Sequence, residues 1–261
     1  GDASNDYKST DAGSNFQIRK QGDKLSFKSA TGVSVDSTIT FTANMVLDAN
    51  SRISLSNNDA GADNTIFGFD AGKLLTSGCN ENVIIGDLAM DAADGTESHN
   101  VAIGASAMGA VNEATYTADG NVAIGSYALT GGDLGSSVFS GNIAVGAFSL
   151  NDTGAHPHTG TIAIGYAALT ALTSGTKNTA IGYQVMDGVT TALNNVAVGY
   201  EAMGNIPSGI AIDGCVAIGY NAFSGGGNTT AGANGTVAIG TSALLALTTG
   251  AGNIAIGYNA L

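Results

Sequence analysis

A five-residue core recurs down most of this chain, and no globular fold built around a single broad core accommodates such a pattern. It appears as Asn64-Thr-Ile-Phe-Gly68, Asn82-Val-Ile-Ile-Gly86, Asn100-Val-Ala-Ile-Gly104, Asn121-Val-Ala-Ile-Gly125 and Asn142-Ile-Ala-Val-Gly146. It continues as Thr161-Ile-Ala-Ile-Gly165, Asn178-Thr-Ala-Ile-Gly182, Asn195-Val-Ala-Val-Gly199, Cys215-Val-Ala-Ile-Gly219, Thr236-Val-Ala-Ile-Gly240 and Asn253-Ile-Ala-Ile-Gly257. The closing glycines are 18, 18, 21, 21, 19, 17, 17, 20, 21 and 17 residues apart. A constant core with a variable spacer predicts a constant strand and a variable loop, repeated as the coils of a solenoid.

The core has strand chemistry. In the unit from Asn100 to Gly104, Val101 and Ile103 fall on one face and Ala102 on the other. Stacking therefore predicts a dry Val/Ile ladder on one side and an Ala stripe on the other. Asn100, Asn121, Asn195 and Asn253 open their units at a turn, where each amide can bond backbone and its copies in neighbouring coils. Gly104, Gly125, Gly199 and Gly257 close them, at a bend or a positive φ. A second short strand such as Tyr220–Phe223 is expected to complete the coil.

The fold class expected is all-β: a parallel β-solenoid of about eleven coils. Two architectures fit. A three-sided hexapeptide β-helix requires an aliphatic residue every six positions, whereas Gly109 stands six after Ile103. A flatter two-strand roll is too thin to stand alone and would bury its Ala face against two copies of itself, as a homotrimer. The roll is the favoured reading. Runs such as Ala167–Leu172 suit a helix by composition but are under two turns long, so strand wins.

Residues 1–60 differ from the array of residues 61–261. After a polar, acidic start come strand-like stretches at Phe16–Ile18, Leu25–Phe27, Val33–Val35, Ile39–Phe41, Met45–Val46–Leu47 and Ile53–Leu55. Turn signals at Gln21–Asp23 and Asp48–Asn50 separate them. A β-rich collar that caps the first coil is expected. The sequence stops inside a repeat at Leu261, so further fibre or chain segments are expected at both ends, or another subunit over the open coil.

Composition narrows the partners. Residues 1–100 hold 14 of the 21 acids and 7 of the 8 bases, and from Gly165 onward the only charged side chains are Lys177, Asp187, Glu201 and Asp213. An array this short of cations cannot bind phosphates by releasing counterions, which argues against nucleic acid. No apolar run approaches the roughly 18 residues of a membrane span.

The Asn-x-Ala-Ile-Gly-x-x-Ala signature resembles the head repeats of YadA-like trimeric autotransporter adhesins. Thr38–Gly72, with Asn50–Asn58 running into Asn64-Thr-Ile-Phe-Gly68, is more similar to phage tail-fibre repeat proteins. The resemblance covers about residues 38–261, although the spacers here are longer than in the adhesin heads. It implies a trimeric, left-handed parallel β-roll that projects from a virion or an extracellular surface. It also implies contact with a host receptor or glycan. A self-assembling extracellular filament with head-to-tail capping is the alternative.

Candidate sites are few. His156 and His158 flank Pro157 in a spacer, and six imidazoles around a three-fold axis would suit a metal ion. The acidic spacers Asn57–Asp63 and Asp91–Glu97 offer oxygen ligands for Ca²⁺, without a recognised calcium-loop spacing. Solvated loops are the simpler expectation for both. Cys79 and Cys215 lie seven coils apart, roughly 34 Å at the usual strand spacing, so no intrachain disulfide is expected. Cys215 stands at the Asn position and reads as a buried free thiol. Tyr166, Tyr183, Tyr200, Tyr220 and Tyr258 follow the repeat glycine directly, either as an outward ladder for a sugar or partner or as rungs that stabilise the coils. No catalytic constellation emerges, and His99 is the one remote candidate, so no enzyme activity is expected.

Overall fold

The computed structural model describes residues 13–21, 24–35, 38–47, 53–55, 63–111, 118–131, 138–152, 158–225 and 232–260. The chain divides into two compact units, Gly1–Asn58 and Asp59–Leu261. Among the described residues every regular element is a strand.

The first unit is an antiparallel four-stranded meander of β1 (Gly13–Gln21), β2 (Lys24–Val33), β3 (Thr42–Leu47) and β4 (Ile53–Leu55), paired in that order. The register sets Gln17 opposite Lys28, Ile18 opposite Phe27 and Arg19 opposite Ser26. Alternation then gives the β1–β2 hairpin one basic face and one apolar face, the latter with Phe16 and Ile18 well exposed. Two expected strands are absent. Val33 is the last residue of β2, where Gly32 takes φ +64° and ends the pleat, and Ile39–Phe41 belongs to no strand. The expected turns at Gln21–Asp23 and Asp48–Asn50 fall largely outside the described residues.

The second unit is a parallel β-solenoid. Each motif forms one three-residue strand: β5 (Thr65–Phe67), β6 (Val83–Ile85), β7 (Val101–Ile103), β8 (Val122–Ile124), β10 (Ile143–Val145), β12 (Ile162–Ile164), β13 (Thr179–Ile181), β15 (Val196–Val198), β17 (Val216–Ile218), β18 (Val237–Ile239) and β19 (Ile254–Ile256). These pair in chain order as one eleven-stranded sheet. The register never slips: Ala102 lies opposite Ala123, Ala123 opposite Ala144, and so on to Ala238 opposite Ala255. Spacers absorb every difference in length, as the variable spacing predicts.

The second expected strand is only partly there. Two short parallel pairs, β9 (Phe139–Ser140) with β11 (His158–Thr159) and β14 (Thr191–Leu193) with β16 (Ala211–Asp213), precede the motif rather than follow it. The segment after each glycine is a turn with positive φ at every other residue: Ser106 and Met108, Tyr127 and Leu129, Glu201 and Met203, Asn221 and Phe223. Its N–H groups bond to neighbouring coils on both sides. Tyr127 N–H donates back to the Ala105 carbonyl (2.9 Å), and Leu129 N–H donates forward to the Ser149 carbonyl (2.9 Å). The two left-handed residues turn their N–H groups to opposite neighbours, while Ala128 between them donates to the Gly125 carbonyl of its own turn (3.2 Å), so this segment is satisfied without being a strand.

Inside and outside are reversed from the sequence-based expectation. Ala102 and its ten register partners are not a stripe awaiting another chain. All but Ile66 are buried inside the single-chain coil, with Ile84 in place of Ala in its rung. They pack with Met90, Met108, Leu129, Leu150, Leu169, Met186, Met203 and Phe223, which are fully buried. Val101 and Ile103 face outward and are half-buried, shielded mainly by their own column. The Ala face as a trimer axis is therefore overturned: Ala keeps the coil thin, and the large residue four positions after the motif glycine fills it.

Candidate functional site

What the fold constructs is a set of continuous columns, one residue per coil. The innermost polar column begins at Asn64. Asn100 accepts two bonds from Asn121 on its Oδ1, from the backbone N–H (2.9 Å) and from Nδ2 (3.1 Å). Its own N–H donates to Asn82 Oδ1 (2.9 Å), and its Nδ2 donates to the Ala118 carbonyl (2.6 Å). That carbonyl lies three residues before the next motif Asn, and the offset recurs: Asn64 to Cys79, Asn82 to Glu97, Asn121 to Phe139, Asn142 to His158, Asn178 to Ala192 and Asn195 to Ile212. Each side chain is thus an adaptor that closes the turn of its neighbour. Asn82, Asn100, Asn121, Asn142, Asn178 and Asn195 are all buried. Asn253 differs: its Nδ2 bonds Gly250 of its own coil (2.6 Å) and it is only half-buried.

Three positions in this column are not Asn. The Cys215 thiol donates to the Ala233 carbonyl (3.3 Å), at the same offset of three, and its N–H reaches Asn195 Oδ1 (2.8 Å). It is a buried free thiol as expected, and burial pushes its pKa up. Thr161 and Thr236 are also buried, but neither hydroxyl has a hydrogen-bond partner.

Beside the Asn column runs the glycine column. Gly68 to Gly257 take φ between +126° and +146°. A Cβ on Gly104 would lie 2.6 Å from the carbonyl carbon and oxygen of Gly125, whereas one on Gly257 would meet nothing within 4 Å. Glycine is thus demanded twice, by backbone conformation and by the approach of the next coil.

The outward columns are apolar. Val and Ile at the first and third strand positions form one, with Ile124, Ile181 and Ile218 each 38% exposed. An aromatic column forms another. Tyr166, Tyr183, Tyr200 and Tyr220 stack with centroids 5.3, 5.1 and 5.4 Å apart and planes within 19°. Tyr127 and Phe148 extend it, but they sit one residue further from their glycine. The slip appears as an edge-on contact of Phe148 with Tyr166 at 77°. Interior rings cover one another's faces, so the column offers ring edges and hydroxyls outward. This geometry favours the coil-stabilising reading over a sugar platform, which needs free faces. The neighbouring Glu201 carboxylate holds the Tyr200 pKa above the usual phenol value.

The remaining candidates lie apart. His158 is not on a solvated loop: it lies on β11, fully buried, edge-on to Phe139 at 5.9 Å. His156 lies outside the described residues. In the acidic spacer Asp91–Glu97, Glu97 is buried rather than solvated, accepting from Gly95 N–H (3.0 Å) and the Cys79 thiol (3.1 Å). Asp91 and Asp187 occupy equivalent positions one after Met90 and Met186, and partial burial raises the pKa of both carboxyls. Asn57–Asp63 is described only at Asp63. His99 is exposed and pairs with Glu81 at 2.7 Å. Among the described residues no three His, Cys, Asp or Glu side chains gather to hold a metal ion, and no helix is long and apolar enough to cross a membrane.

The large interior residue escaped the sequence reading. Its signal was present, since the Gly-x-x-Ala of each unit continues into Met108, Leu129, Met203, Phe223 or Leu244. No family model matches the chain, and comparison with curated proteins and with solved structures returned no similar protein.

Proposed function

We propose that this chain is a segment of a homotrimeric fibre of the phage tail-fibre or surface-adhesin kind, wound left-handed in about eleven coils. It holds its spacer loops away from a virion or cell so that they meet a host receptor or glycan. The reading rests above all on the outward Val/Ile column. Eleven strands at about 4.8 Å, about two side chains wide, make an apolar strip of roughly 500 Å² per chain. Patches beyond a few hundred Å² mark interaction surfaces. An elongated strip that repeats once per coil is best matched by an equally elongated partner with the same rise, which is a second copy in parallel register. Three copies then bury their strips about one axis, leaving spacers and the aromatic column outside.

Light scattering on the full chain across a concentration series tests this. A fixed mass of three chains that falls to one in Ile124→Asp/Ile181→Asp/Ile218→Asp supports the fibre. A mass that climbs with concentration indicates the filament instead, and a wild-type monomer overturns both.

A further inference from the structure

We infer that Tyr166, Tyr183, Tyr200 and Tyr220 form a cross-linking site, at which a one-electron oxidant joins neighbouring rungs into dityrosine within one chain. The inference is independent of the assembly proposed above, because every ring belongs to the same chain.

The four phenols are held at centroid separations of 5.1 to 5.4 Å by the coils beneath them, and each is between 43% and 50% exposed. An oxidant therefore reaches each ring, while its reaction partner is already positioned. Proximity of this kind replaces a bimolecular encounter with an intramolecular one. Exposed side chains change rotamer in picoseconds to nanoseconds, fast enough for two stacked rings to swing edge to edge once both are radicals.

The chemistry balances. Each tyrosine gives up one electron to the oxidant, a peroxide-driven haem enzyme or an equivalent one-electron acceptor, and loses its phenolic proton. Two phenoxyl radicals then join through a carbon–carbon bond between ring positions ortho to oxygen, and tautomerisation of both rings restores aromaticity. Two tyrosines yield one dityrosine, two protons and two electrons, with no leaving group. The proton of Tyr200 passes to solvent or to the carboxylate of Glu201, its neighbour in the chain.

The same column contains its own controls. Phe148 separates Tyr127 from Tyr166 and cannot form a phenoxyl radical. Thr241 takes the tyrosine position between Tyr220 and Tyr258, leaving Tyr258 79% exposed and two rungs away. Tyr127 and Tyr258 are thus accessible without a tyrosine neighbour among the described residues.

The test treats the dilute full chain with a haem peroxidase and hydrogen peroxide, then maps cross-linked peptides by mass spectrometry as pairs that have lost two hydrogens. Links are expected at Tyr166–Tyr183, Tyr183–Tyr200 and Tyr200–Tyr220, with a raised unfolding temperature. Tyr200→Phe keeps the ring stack and is expected to remove two of the three possible links, lowering the initial rate of dityrosine fluorescence to about one third, while Tyr258→Phe leaves it unchanged. Links at Tyr127 or Tyr258 as often as within the four, cross-links between chains in place of these, or tyrosine oxidation without dityrosine would each overturn the inference.

Discussion

From Asn64 to Asn142 the buried amide column is unbroken, whereas from Thr161 to Asn253 it is interrupted three times. The strands do not register the difference, since Ala163, Ala217 and Ala238 pair with their neighbours as Ala102 does. Backbone pairing and the glycine approach therefore carry the solenoid through a missing rung. The amide column supplies local closure of each turn, and a thiol can stand in for half of it.

Several substitutions would break or sharpen this contrast, with denaturant unfolding as the measurement and hydrogen exchange to localise the change. The largest effect belongs to the column common to both stretches. Gly104→Ala drives a Cβ into the Gly125 carbonyl and is expected to cost about 4 kcal/mol or more. Gly257→Ala has open space and is expected to cost only the backbone strain, about 1–2 kcal/mol. Next, Asn121→Ala removes two donors and the acceptor used by Asn142, leaving the buried Phe139 carbonyl unpaired, for a loss of about 3 kcal/mol. Equal losses for Asn121→Ala and Thr236→Ala would erase the distinction between the two stretches.

Repairing the interrupted stretch reverses the sign. Thr161→Asn restores an acceptor for Asn178 and a donor toward Gly175, and is expected to gain about 1–2 kcal/mol. Thr161→Val, which merely removes the orphaned hydroxyl, is expected to gain less. If Val gained more than Asn, the amide would not be what that rung lacks.

The smallest effect is electrostatic. Asp91 and Asp187 both have raised pKa values, chiefly from burial, but Lys73 draws that of Asp91 down while Glu201 pushes that of Asp187 further up. A raised carboxyl pKa means the folded state binds its proton more tightly. Stability is then greatest below the unfolded value of 3.8 and falls as pH rises from there through the folded pKa. Asp187→Asn is expected to remove that decline and gain a few tenths of a kcal/mol at neutral pH, after allowing for solvent screening. Asp91→Asn should gain less. The check is the stability difference between each variant and wild type, titrated from pH 3 to 7.

Much of the array was legible in the sequence because the motif states its own alternation. Asn100, Ala102, Ile103 and Gly104 read directly as turn, one face, the opposite face and bend. Which face was inside did not follow, because that depends on what packs against Ala102, and Met108 and Leu129 lie beyond the motif as first drawn. The alternating turn was hidden for a related reason. Its positive φ falls on Met108, Leu129, Met203 and Phe223, residues that nothing marks as left-handed in isolation and that the inter-coil hydrogen bonds and their own burial hold there. His158 and Glu97 read as loop residues because their spacers are polar, yet both are folded inward.

The direction of the amide column has a temporal meaning. Asn100 receives its N–H acceptor from the coil already made, but its own amide finds a carbonyl only at Ala118, in the coil still to come. Each turn is therefore completed by its successor. A nascent chain leaving the ribosome amino end first can close one coil at a time behind the growing tip, with a single unsatisfied rung exposed at any moment. The amide column therefore permits vectorial folding, coil by coil from the amino end.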